Sequence, residues 1–180
     1  MIPAHHTMID IETLGVSPGS VVLTLAAVSR EMQFYDKISF ESSALLGLTV
    51  DTETLAWWER QQKDIFDEAR SGTKIVSQVM TEFVNHLFDI RKANDGQLTI
   101  WGNGASFDAP LLEAVFQKLG WLVPWSYKES LCYRTMAAVF PQIQKPFKPH
   151  GTHNALVDAR WQFEHLAKIW DHIHGKDDQV

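Results

Sequence analysis

The chain has 180 residues, of which 45% are hydrophobic and 21% charged, and its formal net charge is −6. Length and composition match one soluble globular domain and exclude a disordered chain, a collagen-like repeat and a coiled coil. The acidic balance excludes a protein whose entire surface is a phosphate-binding footprint, while leaving room for a local groove.

The longest uncharged apolar run, Val21 to Val28, falls far short of the roughly 18 residues of a membrane helix, and Met1 to Asp10 lacks the pattern of a secretory leader. The one cysteine, Cys132, can close no intramolecular disulfide and build no thiolate metal site, so a reducing, cytoplasmic location is expected. No repeat, low-complexity tract or linker interrupts residues 1–180, and a single domain is expected.

In chain order, Thr7 to Glu12 alternates, with Ile9 and Ile11 on one face and Met8, Asp10 and Glu12 on the other, as in a strand. Ser17-Pro18-Gly19-Ser20 is a turn. Val21 to Val28, apolar on both faces, reads as a central strand, and Phe34, Ile38 and Phe40 share a parity in a third one. Short connections between the three predict an antiparallel meander.

Asp51 can cap a short helix carrying Leu55, Trp57 and Trp58, and Thr73 a longer one whose Ile75, Val79, Phe83 and Leu87 recur every fourth residue up to Asn94-Asp95-Gly96. Leu98 to Trp101 reads as a short buried strand. A helix with Pro110 in its first turn and Leu111, Leu112, Val115, Phe116 and Leu119 on its apolar face stops at Gly120. Cys132 to Phe140 and about Asn154 to His172 are the remaining predicted helices. His5-His6 and His172-x-His174 have the residue types of metal ligands but, near the chain ends, read as solvated surface residues.

Three segments carry chemistry. Asp10 and Glu12, two apart on a strand, project to one face, where two carboxylates are either solvated or, in a central strand covered by helices, costly without a cation. Trp101 to Asp108 leaves a buried strand, crosses Gly102 and Gly104 and places Asp108 at a helix start, a position that favours an acidic side chain in any case. In Gly151-Thr152-His153-Asn154-Ala155-Leu156-Val157-Asp158, His153 stands before the last helix and Asp158 about a turn inside it. On one continuous helix the two would point about 140° apart, so His153 reaches the Asp158 side only from the preceding loop.

In this order the segments resemble the DEDDh group of the 3′–5′ exonucleases: Asp10-Ile11-Glu12-Thr13, then Asn103 with Phe107-Asp108, then His153 followed five residues later by Asp158. Met8-Ile9-Asp10-Ile11-Glu12-Thr13-Leu14-Gly15, Thr54-Leu55-Ala56-Trp57-Trp58, Trp101-Gly102-Asn103-Gly104-Ala105-Ser106-Phe107-Asp108, Cys132-Tyr133-Arg134-Thr135 and His153-Asn154-Ala155-Leu156 are similar to its compact branch. That branch contains phage DexA-type exonucleases, exonuclease VIII proteins and RNase AS. The resemblance implies an α/β, RNase H-like fold with a mixed sheet flanked by helices.

It also implies that Asp10, Glu12, Asp108 and Asp158 hold two divalent ions, Mg²⁺ or Mn²⁺, as hard carboxylate ligands suit. His153 would take the proton of the attacking water. Thr13, Leu14 and Gly15 would receive the terminal nucleotide through backbone groups and an apolar wedge, with Asn103 and Phe107 lining the same pocket. Single-stranded 3′ ends would be shortened to nucleoside 5′-monophosphates, with DNA favoured over RNA by the phage-type phrases and an RNase AS-like exoribonuclease as the alternative. A catalytically silent nucleic-acid-binding module would be expected to lack a ligand. A homodimer is compatible with the resemblance.

Of Trp57 and Trp58, adjacent on a helix, one can face the core fully and the other is free to stack a base. Gln144-Lys145-Pro146-Phe147-Lys148-Pro149-His150 is a basic, aromatic loop suited to backbone phosphates, or an ordinary solvated one.

Overall fold

A computed structural model describes residues 1–148 and 153–175. Strands β1 (His6–Thr13), β2 (Val22–Val28) and β3 (Gln33–Lys37) form the expected antiparallel meander. β4 (Thr99–Gly102) adds to β1 in parallel, and β5 (Ser130–Cys132) adds to β4 in parallel. The mixed sheet therefore has five strands in the order β3-β2-β1-β4-β5, with β1 at its centre.

The period-two pattern of β1 sorts its side chains between two cores. Ile9 and Ile11 join Leu23, Leu25 and Ala27 of β2 on one face. That face is covered by α4 (Val76–Ala93) and α5 (Asp108–Leu119), whose buried Val79, Phe83, Leu87, Leu112 and Phe116 complete the cluster. Met8, with Ala26 and Val28, faces α6 (Tyr133–Val139) and α7 (Ala155–His174), from which Tyr133, Ala159, Phe163 and Leu166 close the second core. Asp10 pairs with Ala26 and Glu12 with Thr24 across the β1–β2 ladder. The two carboxylates thus point to the α7 side, among small neighbours.

Three shorter helices follow β3: α1 (Phe40–Leu45), α2 (Thr52–Glu59) and α3 (Lys63–Ala69). Asp51 caps α2 as expected, accepting the Thr54 N–H at 2.8 Å. Other local expectations need correction. The third strand ends at Lys37, and Phe40 opens α1 because Ser39 caps a helix there, accepting the Ser42 N–H at 3.2 Å. Thr73 does not cap α4. The helix starts at Val76, and its first N–H finds the Ser42 hydroxyl of α1 at 3.1 Å, a cap supplied across 34 residues.

Cys132 belongs to β5, and α6 begins one residue later. His6 is not solvated: it is buried, and its Nδ1 accepts the Trp101 indole N–H at 2.9 Å. Of the basic loop, Gln144 to Lys148 are described, whereas Pro149 and His150 lie outside the described residues, as do Gly151 and Thr152. Among the described residues no helix is long and apolar enough to cross a membrane.

Candidate active site

β1 and β4 run parallel, so their C-terminal ends open on the same side of the sheet, the usual place for ligands in such sheets. β1 brings Asp10 and Glu12 there and is bulged between Glu12 and Thr13, a device that re-aims side chains beside active sites. The Asn154 side chain caps α7, accepting the Leu156 and Val157 N–H groups at 3.1 and 3.2 Å, and the helix that follows carries Asp158 onto β1. Carboxylate oxygens of Asp10, Glu12 and Asp158 all lie within 4.8 Å of one another.

Asp108 approaches from the β4 side, at the first position of α5. Its Oδ2 accepts the Asn103 N–H at 2.7 Å. A Cβ on Gly102 would come within 2.9 Å of that oxygen, so the glycine lets the strand end pass this close to the carboxylate. Gln162, one turn beyond Asp158 on α7, donates its side-chain N–H to Asp10 Oδ1 at 2.7 Å, while its own carbonyl oxygen is buried without a partner.

Burial, and then the charges of Asp108, Glu12 and Asp158, push the Asp10 carboxyl well above the ordinary carboxylate range. Burial and the Asp158 charge push Glu12 up to about 8. Asp108 is raised to about 6, chiefly by burial, against the backbone N–H groups of Asn103, Asp108 and Ile11, which favour its anion. A cluster that resists ionisation in this way fits a cation of high charge, and two further observations agree. One oxygen of Asp158 is buried with no aligned hydrogen bond, and the Lys148 ammonium stands 2.6 Å from it as a cation already in place. Oxygen-only donors of this kind suit hard divalent ions.

A pH dependence follows. A carboxyl raised in the folded state stabilises the fold below its unfolded pKa, and that contribution is lost as pH rises through the folded value. For Glu12 the window runs from 4.5 to about 8. In EDTA, the Tm of Glu12→Gln is expected to equal the wild type's near pH 5 and to exceed it near pH 8; a pH-independent difference would contradict the raised carboxyl.

Beside the carboxylates lies a cleft of about 540 Å³ lined by Ile11, Glu12, Thr13, Val16, Trp57 and Phe107, with Arg60 and Glu53 at its rim. Trp58 also reaches this wall, yet it is 1% exposed, stacks on Phe66 and donates its indole N–H to the Thr13 carbonyl at 2.8 Å. Trp57 is half-buried and stands edge-on to His153 at 4.8 Å. His153 has a φ of 26°, a left-handed backbone that costs a non-glycine residue about 1–3 kcal/mol. Burial lowers its imidazole pKa, outweighing the Asp158 charge that raises it.

The structure thus brings Asp10, Glu12 and Asp158 together, sets Asp108 and His153 against them, and puts Thr13, Trp57, Trp58 and Phe107 on the cleft. Leu14 and Gly15 lie behind the wall. Leu14 is buried, its N–H bonds the Val21 carbonyl at 2.9 Å, and its own carbonyl accepts the Asp51 N–H at 2.7 Å. The Gly15 carbonyl accepts the Thr13 hydroxyl at 2.7 Å. The exposed apolar side chain at this corner is Val16. Asn103 directs its backbone inward, N–H to Asp108 and carbonyl to Arg134 Nη2 at 2.6 Å. Sequence reasoning missed Val16 and Gln162, and it placed Lys148 in a loop suited to backbone phosphates without its pairing to Asp158. Of the two missed residues only Gln162 carries a sequence signal, its spacing of four from Asp158 on one helix face.

The model of a 3′-5′ exoribonuclease Rv2179c-like domain matches residues 5–170. No curated protein matches by sequence. Among solved structures, the nuclease domain of 3′hExo, a DEDDh family member bound to rAMP, superposes with a TM-score of 0.59 at 11% identity, over 93% of this chain and 92% of that one. The cell-death related nuclease CRN-4 superposes with a TM-score of 0.54 at 10% identity; 96% of this chain is covered, and it spans 64% of CRN-4. At such identities the superpositions speak for the fold, a DEDDh-type, RNase H-like sheet. Family membership rests on the match over residues 5–170, and by it the chain belongs to the Rv2179c-like 3′–5′ exoribonuclease domain family, as a DEDDh-type 3′–5′ exonuclease.

Proposed function

We propose that the chain removes nucleotides one at a time from single-stranded 3′ ends of RNA and releases nucleoside 5′-monophosphates. The observation that carries the reading is the convergence of Asp10, Glu12 and Asp158 within 4.8 Å beside an open cleft. The choice of polymer follows the matching family's description as an exoribonuclease, which outweighs the lean toward DNA from the phage-type phrases.

In this reading Asp10, Glu12, Asp108 and Asp158 hold two Mg²⁺ or Mn²⁺ ions. When bound, divalent ions supply Lewis acidity that activates water and offsets charge on the leaving oxygen. His153 accepts the proton of the attacking water, and burial supports that role by keeping the imidazole neutral, with a free lone pair for that proton, near pH 7. The cleft lies within the size range of small-ligand pockets. Trp57 stacks the terminal base, Phe107 and Val16 flank it, and Trp58 holds Thr13 in place from the core side. A duplex end must fray before one strand can enter.

The test is incubation with Mg²⁺ and 5′-labelled single-stranded RNA and DNA of the same sequence. RNA is expected to shorten faster, as a ladder from the 3′ end, with a blocked 3′-hydroxyl slowing both. Faster loss of DNA would reverse the polymer, and internal cuts without a ladder would overturn the exonuclease reading.

A further inference from the structure

Residues 143–148 run along α7, fastened to one side chain after another. His165 Nε2 meets the Ile143 carbonyl at 2.9 Å, and His165 Nδ1 is itself held by the Tyr133 hydroxyl at 2.8 Å. One turn nearer the site, the Trp161 indole N–H donates to the Pro146 carbonyl at 2.8 Å, and the ammonium groups of Lys145 and Lys148 stand 5.5 and 5.6 Å from its ring centroid. At Asp158 the track ends with Lys148 Nζ 2.6 Å from the carboxylate. The Pro146 carbonyl anchor and the Trp161 ring together hold the ammonium in one place, over the indole and against Asp158 at once.

We propose that Lys148 is a built-in counter-ion, steadied by Trp161, which holds the cation position on Asp158 until a divalent ion displaces it. The proposal rests on the reading of the carboxylates as a metal site. A divalent ion on the Asp158 carboxylate repels the ammonium beside it, so loading the site works against the Lys148–Asp158 pair. The lysine thereby lowers the electrostatic cost of the metal-free fold and sets a threshold concentration for the ion. Displaced, it stays near the site because the backbone at Pro146 is anchored to α7.

Calorimetric titration with Mn²⁺ alone, without substrate, tests this on the full chain. Lys148→Gln is expected to bind Mn²⁺ roughly three- to five-fold more tightly than wild type, the scale of a partly exposed ion pair, and to melt lower in EDTA at pH 8. Lys148→Arg should behave as wild type. Trp161→Leu, which removes both the Pro146 anchor and the aromatic face, should also tighten Mn²⁺ binding by loosening the lysine. Unchanged or weaker Mn²⁺ binding by Lys148→Gln, with wild type binding normally, would overturn the counter-ion and leave the metal site standing. Absence of Mn²⁺ binding in wild type and variants would overturn both.

Discussion

Asp10→Asn is expected to lose RNA hydrolysis by roughly 10³-fold or more while the metal-free protein melts at the wild-type temperature or above it. The amide keeps the shape of the side chain and an oxygen for the Gln162 N–H donor, and it removes a carboxylate that burial and the charges of Asp108, Glu12 and Asp158 disfavour. Asp158→Asn should lose activity as completely. Its metal-free stability should change less, because relief from Glu12 and Asp10 is offset by surrender of the Lys148 ion pair. Melting in EDTA read beside turnover in Mg²⁺ separates loss of chemistry from loss of fold. Near-wild-type turnover by either variant would remove that residue from the site.

His153→Ala is expected to lower turnover by roughly 10²–10⁴-fold, the usual contribution of a general base, with a smaller change in RNA binding. The wild-type rate should fall at acid pH as the imidazole takes up a proton. Because burial favours the neutral ring, that fall should begin below the ordinary histidine pKa of 6.5. Binding can be measured separately, with RNA in the Asp10→Asn background. Equal losses in binding and turnover would instead make His153 an edge-on support for Trp57, the contact its ring makes at 4.8 Å.

Much of this arrangement was legible because it is written in local periodicity. The alternation around Asp10 placed β1 and its two faces, and the stripes of α4, α5 and α7 marked helices that proved to cover the sheet. What escaped was set by partners distant in sequence. β5 is three residues that become a strand only because β4 offers a parallel edge. Ser42, not Thr73, supplies the start of α4, since the α1 turn happens to lie against it. His6 sits near one end of the chain yet serves as an acceptor inside the second core. The site divides along the same line. The carboxylates that converge, Asp10, Glu12 and Asp158, stand in motifs readable from the sequence, and helix geometry puts His153 in the loop before α7. That Trp58 and Leu14 belong to the core, and that Lys148 reaches Asp158, depends on how α2 and residues 143–148 dock.

The bond between Asp10 and Gln162 joins residues 152 apart in the chain. Closing so long a loop adds little entropy beyond closing a shorter one, but contacts of this separation are found slowly. Chains emerge from the ribosome N-terminal part first, so the β1–β3 hairpins can form while Asp10 and Glu12 still have no carboxylate from α7 beside them. The nucleolytic centre comes into being only once α7 has docked on β1. Until that moment the growing polypeptide carries an incomplete set of the clustered carboxylates, and the order of its elements makes the docking of its last described helix the step that completes the site.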